Sequence, residues 1–194
     1  MGKKNITKQK KVTDKRILYT KMALKQALLK SLKEIPYEKT GIVSLCETAQ
    51  ISRSAFYLHY NGIDDLMEEI INEAIETKPG IVKFILGDYG TGDISISSDE
   101  KDHGLYEIDD ENYNVLVHGW KARNMIMDKI TADYKDKYVS DIVKEKGLSE
   151  EEAEIMFIYR LSGMLSAADR LGGDSFKQIE KIRKISDKIQ ENMK

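Results

Sequence analysis

Four hydrogen-bonding side chains surround one large apolar residue in the segment 53–59. The donors suited to phosphate oxygens or base edges are Arg53, Ser54, Tyr57 and His59. Phe56 is the one large residue among them that faces inward by position, and Ser52 is a favourable N-cap for a short helix. Such a helix, with one apolar anchor and donors on its other sides, is suited to the major groove of DNA.

Two short helices and a turn must position these side chains. Apolar residues at helical spacing predict a helix over residues 42–49, and after a turn a second helix follows over residues 53–60. A longer helix from Thr13 to about Glu34 precedes them and ends before a proline. Together the three helices predict a helix-turn-helix unit over residues 13–62.

The charge distribution supports contact between this unit and a polyanion. Residues 1–62 carry 13 lysines and arginines against four acidic residues, although the whole chain has a net charge of −2. A basic head on an acidic body indicates that the head makes the polyanion contact. We expect the lysine-rich residues 1–12 to be disordered without DNA and to follow its backbone or groove when DNA is bound. A plain solubilising tail is the alternative.

The segment 42–66 resembles the DNA-binding domain of TetR/AcrR-type transcriptional regulators. The resemblance rests on Ala49, a turn residue, Ile51 and Ser52, followed by the run Phe56-Tyr57-Leu58-His59-Tyr60. It implies an all-α protein with an N-terminal three-helix helix-turn-helix DNA-binding domain and a C-terminal helical domain, residues 63–194, for effector binding and dimerisation. An ordinary three-helix subdomain is the alternative.

The resemblance also implies which residues contact DNA. The predicted set is Lys39, Thr40, Ser52, Arg53, Ser54, Ala55, Tyr57, Leu58 and His59. Tyr57 and His59 would bind phosphates, and the guanidinium of Arg53 would form a bidentate hydrogen bond with a guanine. The neighbouring residues Ser54, Ala55 and Leu58 would face base edges. A histidine that caps the core is the alternative for His59.

Three positions depart from the family pattern. The threonine that usually opens the second helix falls on Gly41, so we expect Thr40 to cap that helix instead. The usual glycine of the turn is Gln50, for which a left-handed backbone is unfavourable. The usual lysine at the start of the fourth helix is Ile63, so that side-chain contact with a phosphate is lost, and Lys39 would partly replace it.

The C-terminal half returns to helical spacing from residue 112 onward. Residues 150–171 form a predicted helix that is apolar nearly all round, with Ser149 and Glu152 as its capping box. Such a helix needs burial beyond one intrachain neighbour, and members of the family dimerise through their last two long helices. Residues 150–193 therefore predict an intermolecular four-helix bundle and a homodimer. A wholly intrachain core is the alternative.

The resemblance further implies a small-molecule effector bound among the central helices. The candidate pocket residues are Trp120, Met127, Tyr134, Tyr138 and Phe157, because methionine and aromatic side chains form adaptable apolar walls. The same stripe is also typical of a plain core. The implied function is a repressor that the effector releases from its DNA operator by moving the fourth helix, residues 64–77. A ligand-independent DNA-binding or architectural protein of the same fold is the alternative.

Residues 87–112 are acidic and glycine-rich, which predicts a loop with hints of short strands. Asp99, Asp102 and His103 are candidate metal ligands, but their spacing is not that of a regular site, so no metal and no cofactor is predicted.

Several other classes of protein find no support in the sequence. It contains no glycine-rich phosphate loop, no metal-spaced His/Cys set and no nucleophile elbow, so we do not expect an enzyme. The single cysteine, Cys46, lies on a helical apolar stripe and is typical of a packed thiol. No apolar run approaches about 20 residues. We therefore expect a soluble, cytoplasmic protein without membrane contact.

Overall fold

The computed structural model describes residues 3–77, 82, 85–87, 115–171, 178, 181–182, 184–185 and 188; side chains before residue 15 are outside the description. Every regular element in these residues is helical, which confirms the all-α prediction. Apart from Gly87, the predicted acidic loop and the candidate ligands Asp99, Asp102 and His103 lie outside the described residues. None of the described helices combines the length and the apolar character that crossing a bilayer requires.

The chain divides into two compact units, and the division falls inside a helix. The first unit runs to Ile70 and the second starts at Ile71. The elements of the first unit are α1 (Lys3–Glu34), a 3-10 turn (Tyr37–Lys39), α2 (Ile42–Ala49), α3 (Arg53–Tyr57) and the first part of α4 (Ile63–Thr77). The start of α4 thus belongs with the helices before it.

The first helix is longer than the sequence predicts. It begins at Lys3 rather than at Thr13, so residues 3–12, expected as a disordered tail, continue α1 in the structure. No glycine or proline interrupts these residues, and lysine and glutamine are good helix formers, which accounts for the extension. Its end at Glu34 agrees with the prediction, because Pro36 cannot continue a helix.

The core of the first unit joins its helices through large apolar side chains. α1 packs against α2 and α3, and α2 packs against α3. Core residues that expose at most 4% of their surface include Leu24, Leu28, Leu29, Leu45, Cys46, Phe56, Tyr60, Leu66, Met67 and Ile70. Cys46 is therefore a packed thiol, as predicted, and burial raises its pKa.

Two lysines of α1 hold the start of α4 by ion pairs with one carboxylate. Lys21 Nζ lies 2.7 Å from Glu69 Oε2, and Lys25 Nζ lies 2.9 Å from Glu69 Oε1. Partial burial raises the pKa of Glu69, but the hydrogen bonds and charges of the two lysines outweigh it, so that the pKa lies below its ordinary value.

The second unit contains two long antiparallel helices, α5 (Trp120–Lys146) and α6 (Glu150–Leu171). The side-chain pairs that join them are Arg123 with Asp169, Lys135 with Glu154, and Tyr138 with Phe157. The start of α5, at Arg123, meets the end of α6, whereas Lys135 and Tyr138, farther along α5, meet the first turns of α6, so the two helices are antiparallel. α6 has the predicted bounds, and its core side is buried against α5.

The connection between these helices has the predicted capping chemistry. Gly147 ends α5 in the left-handed conformation, with a φ of 67°. The backbone N–H of Ser149 donates to Glu152 Oε2 at 2.8 Å, and Ser149 Oγ accepts from the backbone N–H of Glu152 at 3.2 Å. These reciprocal bonds confirm the capping box. The bond from the Ser149 backbone lowers the pKa of Glu152.

One prediction for the C-terminal half of the chain needs correction, and another concerns residues that the structure mostly does not describe. The helix expected from residue 112 is interrupted at Gly119, where an extended backbone (φ −100°, ψ 128°) separates helical residues 115–118 from α5. Glycine tolerates such a break because it gains little from helical geometry. Most of residues 172–193, the second half of the predicted dimer surface, lie outside the described residues; Ile182 is half-buried and Ile185 is exposed.

Candidate nucleic-acid interface

The turn between α2 and α3 has the left-handed backbone that the family resemblance implies, although glutamine replaces the usual glycine. Gln50 has φ 55° and ψ 37°, and among the described residues it is the one residue other than glycine with a positive φ. Its N–H donates to the carbonyl of Glu47 at 3.1 Å, and the N–H of Ile51 donates to that of Cys46 at 2.9 Å. These bonds close α2 and redirect the chain into α3.

The short helix α3 begins at the predicted cap. Ser52 has an extended backbone, and its Oγ accepts a hydrogen bond from the N–H of Ala55 at 3.2 Å. This bond satisfies one of the free N–H groups at the helix start and confirms Ser52 as the N-cap. The hydroxyl is therefore already engaged in the fold, although the residue itself is exposed.

The helix α3 is shorter than predicted. α3 ends at Tyr57 instead of residue 60, and Leu58 and His59 lie in the turn that follows. The N–H groups of His59 and Tyr60 both donate to the carbonyl of Phe56, at 2.9 Å and 3.0 Å. This shared acceptor tightens the last turn and returns the chain to the core at Tyr60.

The residues of this segment divide cleanly between core and surface. The Phe56 side chain is fully buried, whereas Tyr57 is 57% and Leu58 80% exposed. Arg53 and Ser54 are also exposed. The structure thus brings Arg53, Ser54, Tyr57 and Leu58 onto one surface.

Two members of the predicted set are only partly available. Ala55 and His59 are half-buried. The imidazole of His59 meets the ring of Tyr60 edge-on, with centroids 6.4 Å apart, and Tyr60 itself is buried. A half-buried ring is compatible with both readings of His59, as a phosphate contact and as a cap on the core.

Thr40 does not have the predicted role. Its side chain is buried, and its Oγ1 lies 3.5 Å from the carbonyl oxygen of Pro36. The N-cap of α2 is Gly41, and no side chain caps it. Thr40 is engaged by the 3-10 turn before α2 and is turned away from solvent, so its hydroxyl is not displayed for a phosphate. Lys39, in contrast, is exposed.

Two contacts that were not predicted from the sequence fix the start of α4. The hydroxyl of Tyr37 donates to the carboxylate of Asp64, and Asn61 donates to Asp65 Oδ2 from its backbone N–H at 2.9 Å and from Nδ2 at 2.6 Å. Partial burial and the bond to Asp64 raise the pKa of Tyr37. An asparagine four residues before an aspartate is a recognisable capping signal. Tyr37 has no local signal, because its partner is 27 residues away.

The five candidate effector residues do not form one cluster. Tyr138 and Phe157 are fully buried and meet edge to face, with ring centroids 5.3 Å apart. Trp120 is 57% exposed at the start of α5, and at 1.5 Å per residue it lies about 27 Å along the helix from Tyr138. Met127 and Tyr134 are half-buried between them, and partial burial raises the pKa of Tyr134. Trp120 and Tyr138 are therefore too far apart to belong to one compact cluster, and the effector pocket stays a prediction.

Comparison with protein-family models, with curated protein sequences and with solved structures gives no match to this chain.

Proposed function

We propose that this chain is a homodimeric, sequence-specific DNA-binding transcriptional regulator of the TetR/AcrR type. The observation that carries the proposal is the joint between α2 and α3. A left-handed Gln50 ends α2, Ser52 caps α3, and the buried Phe56 anchors a short helix whose opposite side is exposed and carries hydrogen-bond donors. This combination is what a recognition helix needs to enter a major groove.

The charge of residues 1–62 supports DNA as the partner. Residues 1–62 contain 13 basic and four acidic residues, and the remainder of the chain contains 18 basic and 29 acidic residues. Phosphate contacts by lysine and arginine supply most of the affinity for duplex DNA, whereas base contacts by residues such as Arg53 supply specificity.

The exposed side of α6 supports a second copy of the chain as the other partner. Ile155, Ile158 and Tyr159 are 60%, 58% and 76% exposed. Ser162, Gly163 and Ser166 continue the same side at helical spacing, and small residues permit close helix approach. A contiguous apolar stripe of this kind is typical of an interface. Dimerisation would present two recognition helices to two half-sites of one operator.

We further propose that a small effector releases the protein from DNA through α4, which has residues in both units. A ligand-independent DNA-binding protein is the second candidate, and the separation of Trp120 from Tyr138 favours it, because the predicted pocket residues do not converge. Effector coupling is reciprocal: a 100-fold loss of operator affinity requires about 2.7 kcal/mol, and operator must weaken effector binding by the same factor.

The experiment that tests DNA binding is selection of bound sequences from a randomised duplex library by the purified full-length protein. We expect an enriched inverted repeat with half-site centres separated by about one turn of B-DNA, and an affinity that falls steeply with salt. Recovery of no enriched sequence, together with equal binding to unrelated duplexes, would exclude a sequence-specific regulator and leave an architectural role.

The experiment that separates the two candidates is a metabolite screen against the complex with the selected operator. Release of DNA by a compound, followed by calorimetric titration of that compound with and without operator, should give affinities that differ by the factor of release. Equal affinities in the two titrations would support the ligand-independent protein.

A further inference from the structure

An arginine of α6 is buried on the side of that helix that forms the core. Arg160 exposes only 9% of its surface. The neighbouring positions on the same side of α6, Ala153, Phe157 and Met164, are buried apolar residues. Among the described residues, no acceptor lies within hydrogen-bond distance of its Nε. A buried cation with an unsatisfied donor is unfavourable unless an anion completes it.

The position of the guanidinium depends on a glycine. Gly87 has a φ of +79°, and a Cβ at this position would lie 3.0 Å from Arg160 Nη2 and 3.4 Å from its Cζ. A side chain there would displace the guanidinium, and the left-handed backbone favours glycine independently. The backbone at Gly87 therefore leaves room for the guanidinium beside it.

Arg160 also lies beside the candidate effector residues of the second unit. Tyr138 pairs with Phe157, and Lys135 pairs with Glu154, so the antiparallel register puts Arg160 opposite the turn of α5 at residues 130–134. In that turn Tyr134 is half-buried, as is Met127 one turn earlier. The buried side chains next to Arg160 on its own side of α6 are thus apolar or aromatic, and the register puts the half-buried Tyr134 of α5 opposite them.

We propose that Arg160 is the anchor for a monocarboxylate ligand with an apolar or aromatic body, which is the effector of the proposed regulator; this inference rests on the proposed function. The Nε and Nη2 edge of a guanidinium matches the two oxygens of one carboxylate. The apolar side chains around it match an uncharged body. A dianionic phosphoryl group fits less well, because its second charge would be buried against apolar side chains.

The chain itself offers a rival anion. Residues 88–111 contain nine acidic residues, and a carboxylate from this segment would satisfy Arg160 without any ligand. An Arg160 that is paired with an acidic residue of the chain and an Arg160 that awaits a ligand predict opposite effects on stability when the positive charge of Arg160 is removed. Loss of one partner of a buried ion pair is strongly destabilising, whereas replacement of an unpaired buried cation by an apolar side chain of similar shape is neutral or stabilising.

The test measures thermal unfolding of the full-length protein with benzoate and hexanoate, and with the uncharged benzamide and hexanamide as matched controls. The carboxylates should raise the Tm by roughly 5–10 °C at concentrations about a hundredfold above Kd. The amides should have no effect. Arg160→Met should retain or exceed the wild-type Tm without ligand and should lose the response to carboxylates, whereas Arg160→Lys should keep part of it.

Three outcomes would overturn the assignment: no response of the wild type to either carboxylate, an equal response to the amides, or a marked fall in the ligand-free Tm of Arg160→Met. The last result would identify Arg160 as the partner of an acidic residue of the chain. Operator binding measured in parallel separates this inference from the proposed function. If Arg160→Met and wild type bind operator equally but no carboxylate shifts the Tm, only the anion site fails; if neither binds DNA, the regulator fails.

Discussion

Phe56 and Tyr57 are adjacent in α3 but have opposite environments. The ring of Phe56 is fully buried, that of Tyr57 is 57% exposed, and the two meet at 88° with centroids 5.4 Å apart. The buried ring fixes the orientation of α3, and the edge contact restricts the rotamers of Tyr57. The exposed hydroxyl is therefore held in place, which would reduce the entropic cost of the proposed contact with DNA.

The recognition-helix assignment predicts two different kinds of binding defect. Arg53→Ala should relax the sequence preference at one base position, with a loss of about 1–3 kcal/mol of discrimination there. Tyr57→Phe should weaken binding by about 1 kcal/mol on every sequence, because only a phosphate contact is lost. Fluorescence anisotropy with a set of single-base operator variants measures both effects.

The matched control for these variants is Lys30→Ala. Lys30 is exposed on α1 and is not a predicted contact, so its loss removes one positive charge without touching α3. Wild-type affinity of both Arg53→Ala and Tyr57→Phe, with unchanged far-UV circular dichroism, would show that α3 does not contact DNA.

The left-handed turn predicts that Gln50→Gly stabilises the protein. A side chain with a Cβ at φ 55° costs about 1–2 kcal/mol, and glycine removes this cost but gains entropy in the unfolded chain. The net gain should be roughly 0.5 kcal/mol, measured by urea unfolding with an unchanged m-value. The control Gln50→Val should be destabilising, because a β-branched side chain is least compatible with this backbone; a more stable valine variant would contradict the argument.

The ion pairs of Glu69 predict a pH-dependent contribution to stability. The pKa of Glu69 is lowered in the folded protein. The stabilisation is therefore fully present above the unfolded pKa of about 4.3, and it is lost as the pH falls through the lower folded pKa. Unfolding free energies of wild type and Glu69→Gln, measured across this range, give the contribution directly.

The loss of stability that Glu69→Gln should cause at neutral pH depends on the environment of Lys25, a partner of Glu69. Lys25 is 9% exposed, so Glu69→Gln removes a negative charge 2.9 Å from a largely buried ammonium and should cost about 1–3 kcal/mol. Near the acid limit the two proteins should converge, because a protonated glutamate and a glutamine have the same charge and similar shape. A constant difference across the whole pH range would rule out the ion pairs as its source.

The proposed dimer predicts that Gly163→Arg abolishes association without harming the protomer. No atom lies within 4 Å of a Cβ built at Gly163, and arginine is a good helix former, so the single chain tolerates the change. A desolvated charge in the interface should weaken dimerisation by several kcal/mol. Sedimentation velocity at micromolar concentration measures the change. Ala132→Arg, on an exposed position of α5, adds the same charge outside the interface; a monomeric wild type would contradict the proposal.

Some parts of the candidate site were predictable because their causes are local. The cap at Ser52, the capping box of Ser149 and Glu152 and the bounds of α2 and α6 all match the structure. Each depends on hydrogen bonds within four residues or on helical spacing of apolar side chains. The early end of α3 was not predicted. At this end the carbonyl of Phe56 accepts both a helical hydrogen bond, from the N–H of Tyr60, and a tighter one, from the N–H of His59.

The sequence alone determined the helical class, the position of the turn at Gln50 and the separation of charge between the two halves of the chain. Only the tertiary structure decided which residues meet. It buries Thr40, joins Tyr37 to Asp64 and Lys25 to Glu69, and buries Arg160 beside Gly87. The physical reason is that capping and spacing act between near neighbours along the chain, whereas burial and ion pairing depend on side chains contributed by distant helices.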